Sequence, residues 1–304
     1  MSRSALVGLA LLLGVAPLLS GIAARTKARL TGRRGAPLLQ LYWDLARLRR
    51  KGVVYSRTTT WVFRLAPIVL VATAALAACL VPLDGRRALV SFSGDFVAFA
   101  YLLALGRFFL VLAALDTGSS FEGMGASREV TVAAFAEPAL FLAFIALVLA
   151  TGSLSLGGAL GAPLTQAWPT AVPALAMVTA SLFLVLLAEG SRVPVDDPAT
   201  HLELTMIHEV MVLDHSGPDF ALILYGGALK LALFGALLVG AVVPRAGLAP
   251  GLGLAVLVLG LLGVAVLVGI VESVTARLRL SRVPQFLTAA SALAALAVIL
   301  LLVR

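Results

Sequence analysis

Eight largely apolar stretches run along the chain, at about 5–24, 61–83, 95–115, 130–150, 169–188, 219–243, 251–272 and 284–303. Each approaches the roughly 20 residues that a helix needs to cross the hydrocarbon of a bilayer. None alternates polar and apolar residues with period two, which argues against a membrane barrel. The pattern predicts an all-α polytopic membrane protein: eight transmembrane helices in a single integral membrane domain over residues 1–304, with amphipathic helices in its loops. Before the first stretch stands only Arg3; after it come Arg25, Lys27, Arg29, Arg33 and Arg34. A signal peptide places its charge before a shorter apolar core, so this segment reads as a retained helix.

Composition sharpens the class. Of 304 residues, 61% are hydrophobic and 12% charged, against about 45–50% and 25% in soluble domains. That excludes a soluble globular enzyme and a disordered chain. The net charge of +8 would suit nucleic acid on a soluble surface, but here it follows the loops. Segments 25–64, 116–129, 189–218 and 273–283 hold 16 of the 23 Lys and Arg residues, and the opposite loops and termini hold five. By the positive-inside rule the first group is cytoplasmic and both termini lie outside the cell membrane. The single cysteine, Cys79, excludes an intramolecular disulfide and any multi-cysteine cluster or zinc site. The outward segment 152–168 carries no charge, so the chemistry should sit on the cytoplasmic side.

Two cytoplasmic loops contrast. From Arg25 to Arg57 there are ten cations and one acid, Asp44. Within it, residues 37–51 fit an amphipathic helix. Pro37 suits its first turn, Leu38, Leu41, Tyr42, Leu45 and Leu48 cover one face, and Gln40, Asp44, Arg47 and Lys51 the other. Such a helix can lie on anionic lipid or form a ledge for a soluble partner. The third loop holds Glu189, Asp196, Asp197, Glu203, Glu209, Asp214 and Asp219 against Arg192 alone. Asp197 as N-cap and Pro198 as first residue predict a helix over 198–214. Its winding places His201, Thr205, His208 and Glu209 on one face. Glu203 and Asp214 fall on an apolar strip with Met206, Ile207 and Val210. A carboxylate embedded there is raised in pKa by desolvation unless a cation is close, which suits a proton carrier. His201, His208 and His215 recur every seven residues, about 10 Å along a helix, too far apart for two ligands of one metal ion.

Four ionisable groups fall inside the apolar stretches: Arg107, Glu137, Lys230 and Glu272. Charges at such positions are rare and mark pairs or ion pathways. Arg107 and Glu137 both lie roughly 10–12 Å from the cytoplasmic side, so a buried pair between them is geometrically allowed. Pro138 should kink its helix next to Glu137. The groups read either as ties within the bundle or as a charged path leading inward from the acidic loop.

These residues resemble a known family. Residues 188–204, AEGSRVPVDDPATHLEL, look like the signature of subunit 1 of respiratory complex I, Glu-x-Asn-Arg-x-Pro-Phe-Asp with an acid-rich continuation; Glu189, Arg192, Pro194, Asp196 and Glu203 fall on it. Residues 33–45 are similar to the family's Arg-x-Gly-x-x-Gly-x-x-Gln segment, with Gln40 and Asp44 in place. Arg128 and Glu137 keep the family's Arg-to-Glu spacing of nine, and 214–217, DHSG, looks like its Glu-Tyr-Ser-Gly. Ser191 stands for the family's Asn and Val195 for its Phe. Residues 199–209 and 123–129 resemble most the branch found in formate hydrogenlyase and energy-converting [NiFe] hydrogenases.

That resemblance implies a non-catalytic membrane subunit of a multisubunit oxidoreductase. It would anchor cytoplasmic hydrogenase-like and iron–sulfur subunits beside antiporter-like membrane subunits, binding no cofactor, metal or nucleic acid itself. Iron–sulfur clusters and the NiFe centre would belong to partners, and the departures in the signature weaken the expectation of a quinone site. Glu137, Glu189, Asp196, Glu203, Glu209, Asp214, Arg107, Lys230 and Glu272 would form the proton path. Arg33, Arg34, Gln40, Asp44, Arg47, Arg128 and Arg192 would dock the partner. Complex I subunit 1 itself, with a quinone site, is the alternative; a stand-alone transporter would show paired broken helices in repeats, and no such repeat is seen.

Overall fold

A backbone crossing hydrocarbon must satisfy its polar groups internally, so apolar stretches of this length become helices. The structure, a computed structural model, describes residues 3–86, 88–196, 206–243 and 245–303. Its helices in chain order are α1 (Arg3–Leu30), α2 (Gln40–Leu48), α3 (Trp61–Leu80), α4 (Asp95–Asp116), α5 (Ser120–Thr151), α6 (Leu156–Ala159), α7 (Ala162–Ala167), α8 (Val172–Glu189), α9 (Gly217–Val242), α10 (Pro250–Val274) and α11 (Val283–Leu302). Among the described residues, eight of these elements are long and apolar enough to cross a membrane, as the apolar pattern predicts. Proline stands in the first turn of α8, α9, α10 and α11, where its missing N–H costs nothing.

Four expectations about the connecting segments are corrected. The amphipathic helix is shorter than 37–51, and Pro37 precedes α2 instead of opening it. α5 begins at Ser120, so most of the supposed loop 116–129 is helix. The uncharged outer segment is not bland: it folds into α6 and α7, whose Leu156, Ala159, Leu164 and Ala167 are buried in the core. The helix over 198–214 is not continuous. Asp197, Pro198, His201, Glu203 and Thr205 lie outside the described residues, and the rest of that span contains one 3₁₀ turn, Glu209–Val212. The physical cause is a competing acceptor: the His208 N–H donates to Asp196 Oδ2 at 3.0 Å, the bond that an α-helix would give to a carbonyl four residues back.

α9 is the axis of the bundle. It is apolar around its whole circumference, the pattern of a helix covered on all sides, and most of its residues are buried. α1, α3, α8 and α10 pack on it, α3 pairs with α4, and α5 lies between α8 and α11. The end bearing α2, residues 190–216 and 275–282 is the charged end. At the other end Arg245, buried, donates to the Leu83 carbonyl at 2.8 Å, and Ser4 Oγ donates to Asp84 at 2.7 Å. Asp95, also buried, accepts from the Leu156 N–H at 2.6 Å. These bonds close that end over α6 and α7.

Two backbone contacts position the charged end. After α1 the chain folds back along it, and a Cβ at Gly21 would overlap the Leu38 carbonyl oxygen. A Cβ at Gly125 in α5 would collide with Val210 and lie 3.1 Å from the Ile207 oxygen, so the 206–212 segment rests on bare helix backbone. Gly21→Ala should therefore displace α2 and destabilise the protein by about 1–3 kcal/mol, read as a lower thermal midpoint of the detergent-purified chain. An unchanged midpoint would show that the return segment yields freely.

Candidate functional site: a buried ion network

A guanidinium inside the bundle must be paired, and Arg107 of α4 faces three carboxylates. Its Nη1 lies 2.8 Å from Glu137 Oε1, its Nη2 bonds Glu189 Oε1, and its Nε lies 3.6 Å from Glu129 Oε1. Glu189, the last residue of α8, also takes Lys230 Nζ of α9 at 3.0 Å through its second oxygen. Four helices thus meet in one network with three carboxylates and two cations.

A second pair of contacts lies nearer the charged end. Arg192 Nη1 is 3.6 Å from Glu272 of α10 and its Nη2 donates to Ser20 of α1 at 2.9 Å. Arg277 binds Asp196 at 2.8 Å. Between the two groups opens a cavity of about 290 Å³, lined by Glu189, Arg192, Asp196, His208, Glu209 and Lys230 on its polar side and by Leu41, Phe220 and Leu224 on its apolar side. The His208 imidazole lines this cavity, while its Nδ1 is buried without a hydrogen-bond partner. Burial pushes its pKa down, opposed by the nearby carboxylates of Glu129, Asp196 and Glu189. A neutral imidazole can both donate and accept a proton.

The chain turns sharply to make this site. Ser191 has φ of 50°, the left-handed region where Asn is better tolerated than Ser. The turn sends the Arg192 N–H to the Leu187 carbonyl at 2.8 Å and leaves the Asp196 N–H to bond the Arg192 carbonyl at 3.1 Å, fixing both side chains over the cavity.

The structure sorts the candidates read from sequence. Glu137, Glu189, Arg107 and Lys230 converge in the buried network, and Arg107 and Glu137 form the pair that their depths allow. Lys230 pairs with Glu189, whereas Glu272 joins Arg192. Asp196 and Glu209 line the cavity, and Glu203 lies outside the described residues. Asp214 does not belong to a buried strip; it is exposed, because the 3₁₀ turn rotates it away from where an α-helix would aim it. Among the docking candidates, Arg33 and Arg34 are exposed, and Gln40, Asp44 and Arg47 bond one another on α2. Arg192 is only 9% exposed, so it is an interior group and not a docking contact. Arg128 donates to the Met206 carbonyl at 2.7 Å, holding the start of that segment against α5.

Several contributors escape a reading of the sequence alone. Glu129 falls in an expected loop, although eight residues before Glu137 on one helix put it about 80° away on the same side. Glu122 is fully buried and accepts the Asp214 N–H at 2.9 Å; nothing in its local sequence marks it. The spacing of His208 raises only the question of a metal, not of a proton. His215 is buried and stacks on Phe63 with ring centroids 3.8 Å apart, a contact between residues far apart in the chain.

An eight-helix membrane bundle with an ion network running inward from a charged end is the architecture of a membrane subunit that handles charge within the bilayer. The particular family is shown by sequence: the NADH dehydrogenase family model matches residues 3–303, and the chain belongs to that family. It is 33% identical to formate hydrogenlyase subunit 4 of Escherichia coli K12, over 96% of this chain and 95% of that one. It is also 33% identical to hydrogenase-4 component C of the same organism, over 90% and 87%. A membrane-complex relative from Rickettsia prowazekii, a subunit of its NADH-quinone oxidoreductase, is 25% identical over 66% of this chain and 58% of its own length. In fold, a chain of the membrane-bound sulfane sulfur reductase, an archaeal respiratory membrane complex, superposes with a TM-score of 0.80 at 19% identity, covering 98% of both chains.

Burial sets the expected cost of disturbing these groups. Removing Arg107 leaves two carboxylates, Glu137 and Glu129, without a cation, so Arg107→Met should cost about 3–5 kcal/mol. Glu137→Gln should cost less than half of that, because the Glu137 side chain is 39% exposed. Thermal unfolding of both variants in detergent checks the order. A pH dependence is expected from His215, whose pKa burial pushes down to about 4. Between an unfolded value of about 6.5 and about 4, the unfolded chain takes up a proton that the folded chain refuses. Stability is therefore lost as pH falls through this window, by roughly 3 kcal/mol in full, and levels off below it. His215→Phe should flatten this part of the melting profile; an identical profile would place the pH sensitivity elsewhere.

Proposed function

We propose that the chain is the membrane-anchoring, ion-coupling subunit of a complex-I-like, membrane-bound hydrogenase of the formate hydrogenlyase type. The charged end faces the cytoplasm, both termini lie outside, and cytoplasmic hydrogenase-like and iron–sulfur subunits dock on the basic segment around Arg33 and Arg34. Antiporter-like membrane subunits flank it. The chain has no catalytic residue of its own. The identity to the two hydrogenase-related proteins over nearly their whole length supports this reading.

The observation that carries it is the charge count of the buried network. Three carboxylates face two cations, and a surplus negative charge in a low-dielectric interior is costly unless a proton or cation joins it. A proton entering from the cavity meets Asp196 and Glu209 first, then neutral His208, then Glu189 and Lys230, and then Arg107 with Glu129 and Glu137. Redox-driven movement of the docked subunit would act through the cavity wall on this chain of groups.

Glu189→Gln leaves two carboxylates against two cations, so folding and assembly should survive. In the assembled complex, hydrogenase activity and membrane potential should be measured together, and potential generated per turnover should fall at least about tenfold. His208→Gln should show the same loss, and equal coupling in wild type and both variants would sink the relay. Reversing Arg33 and Arg34 to Glu should release soluble subunits while the membrane protein still inserts. Stoichiometric quinone in the extracted complex would favour the complex I reading.

A further inference from the structure

The outward face of α2 is not used by the ion network, and two contacts fix its depth. The Tyr42 hydroxyl donates to the carbonyl of Gly14, in the middle of the apolar run of α1, and Leu38 abuts Gly21. On its inner side Leu41 meets Phe220 and Leu224, in the first two turns of α9, around the polar cavity. α2 therefore lies at the rim of the hydrocarbon and not above it in water.

The outward side carries Trp43, Ala46, Arg47, Arg50 and Lys51, which enclose a shallow cleft of about 500 Å³. At 100° per residue these positions span about 140° of one face. Bonds from the Arg50 N–H to the Arg47 carbonyl, 3.1 Å, and from the Lys51 N–H to the Leu48 carbonyl, 3.0 Å, carry the helical course beyond Leu48. Both terminal cations therefore stay on the face of Trp43. Arg47 is paired with Asp44 at 2.6 Å; among the described residues Arg50 and Lys51 have no carboxylate partner. Trp43 is 66% exposed, and Leu39, one turn before it on the same face, is 49% exposed.

An exposed indole and leucine at this depth, with two uncompensated cations beside them, match the order of a lipid: acyl chain, glycerol, then anionic phosphate. Tryptophan favours the headgroup level of a bilayer, and each basic side chain there attracts anionic lipid. We propose that this face is a binding site for an anionic phospholipid, with its phosphate on Arg50 and Lys51, its glycerol region on Trp43 and its chain along Leu39. An acidic protein surface would satisfy the cations but leave the leucine and the indole at hydrocarbon depth without lipid to cover them. The site is separate from Arg33 and Arg34, which precede α2, so it stands whether or not the docking assignment holds.

The test uses the full-length chain with Trp61→Phe and Trp168→Phe, leaving Trp43 as the one indole of three. In nanodiscs, brominated phosphatidylglycerol should quench its fluorescence at least about twofold more than brominated phosphatidylcholine at equal mole fraction. Arg50→Gln with Lys51→Gln should make the two lipids equal. Equal quenching in the parent would overturn the headgroup site, and quenching by neither lipid would overturn the depth assignment as well. Because the tryptophan changes alter the chain, native mass spectrometry of the otherwise unaltered protein provides a second reading. Wild type should retain one more phosphatidylglycerol than Arg50→Gln/Lys51→Gln; identical adduct counts would overturn the proposal.

Discussion

A guanidinium held within a helical bundle dictates the placement of everything around it, since it cannot give up its charge and water is not at hand to solvate it. Arg107 is 7% exposed, and its partners come from two other helices: Glu129 and Glu137 from α5 and Glu189 from the end of α8. Hydrocarbon gives helices little reason to prefer one neighbour over another, because lipid tails are as apolar as leucine. A polar knot does discriminate. It fixes the rotation of α4, α5 and α8 about their axes, and through Lys230 it fixes α9 as well. The apolar core then fills in around that register, with most of α9 buried.

The two ends of the bundle solve different problems. The end with Asp84, Asp95 and Arg245 ties its polar groups to loop backbone, and its small helices α6 and α7 bury leucines against the core. The charged end holds its polar groups around a space, and buried atoms there, Arg192 Nε and His208 Nδ1 among them, have no hydrogen-bond partner among the described residues. Buried polar atoms are ordinarily satisfied. Their presence about one cavity separates a site kept ready for exchange from an end that is simply closed.

Much of this is legible in the sequence because hydrophobic length is a direct readout of a bilayer. The eight crossings, and the depths that bring Arg107 to Glu137, follow from counting residues. What fails is local. The start of α5 is polar, SFEGMGASRE, and polarity reads as loop, so Glu129 is excluded from the network by a boundary and not by its chemistry. The helix expected over 198–214 rests on a good capping pattern, but an N-cap signal cannot foresee that Asp196 takes the His208 N–H from across the turn. That single bond rotates Asp214 outward. The interior position of Arg192 is hidden for a related reason: a lone cation in an acidic loop looks like a surface charge until the turn at Ser191 folds it inward.

α5 runs unbroken for 32 residues, about 48 Å at 1.5 Å per residue, which exceeds the hydrocarbon thickness. Near its start Glu122 and Gly125 support the segment that ends at Asp214; halfway along, Glu137 is followed by Pro138, which has no N–H for the Ala134 carbonyl. Such a rod behaves as a crank with one weakened rung. A push of an ångström on the 206–214 segment is carried stiffly down two turns and more, and is released as bending at the level where Glu137 meets Arg107. The network can then be worked by leverage as well as by voltage, and the length of one helix sets the mechanical advantage.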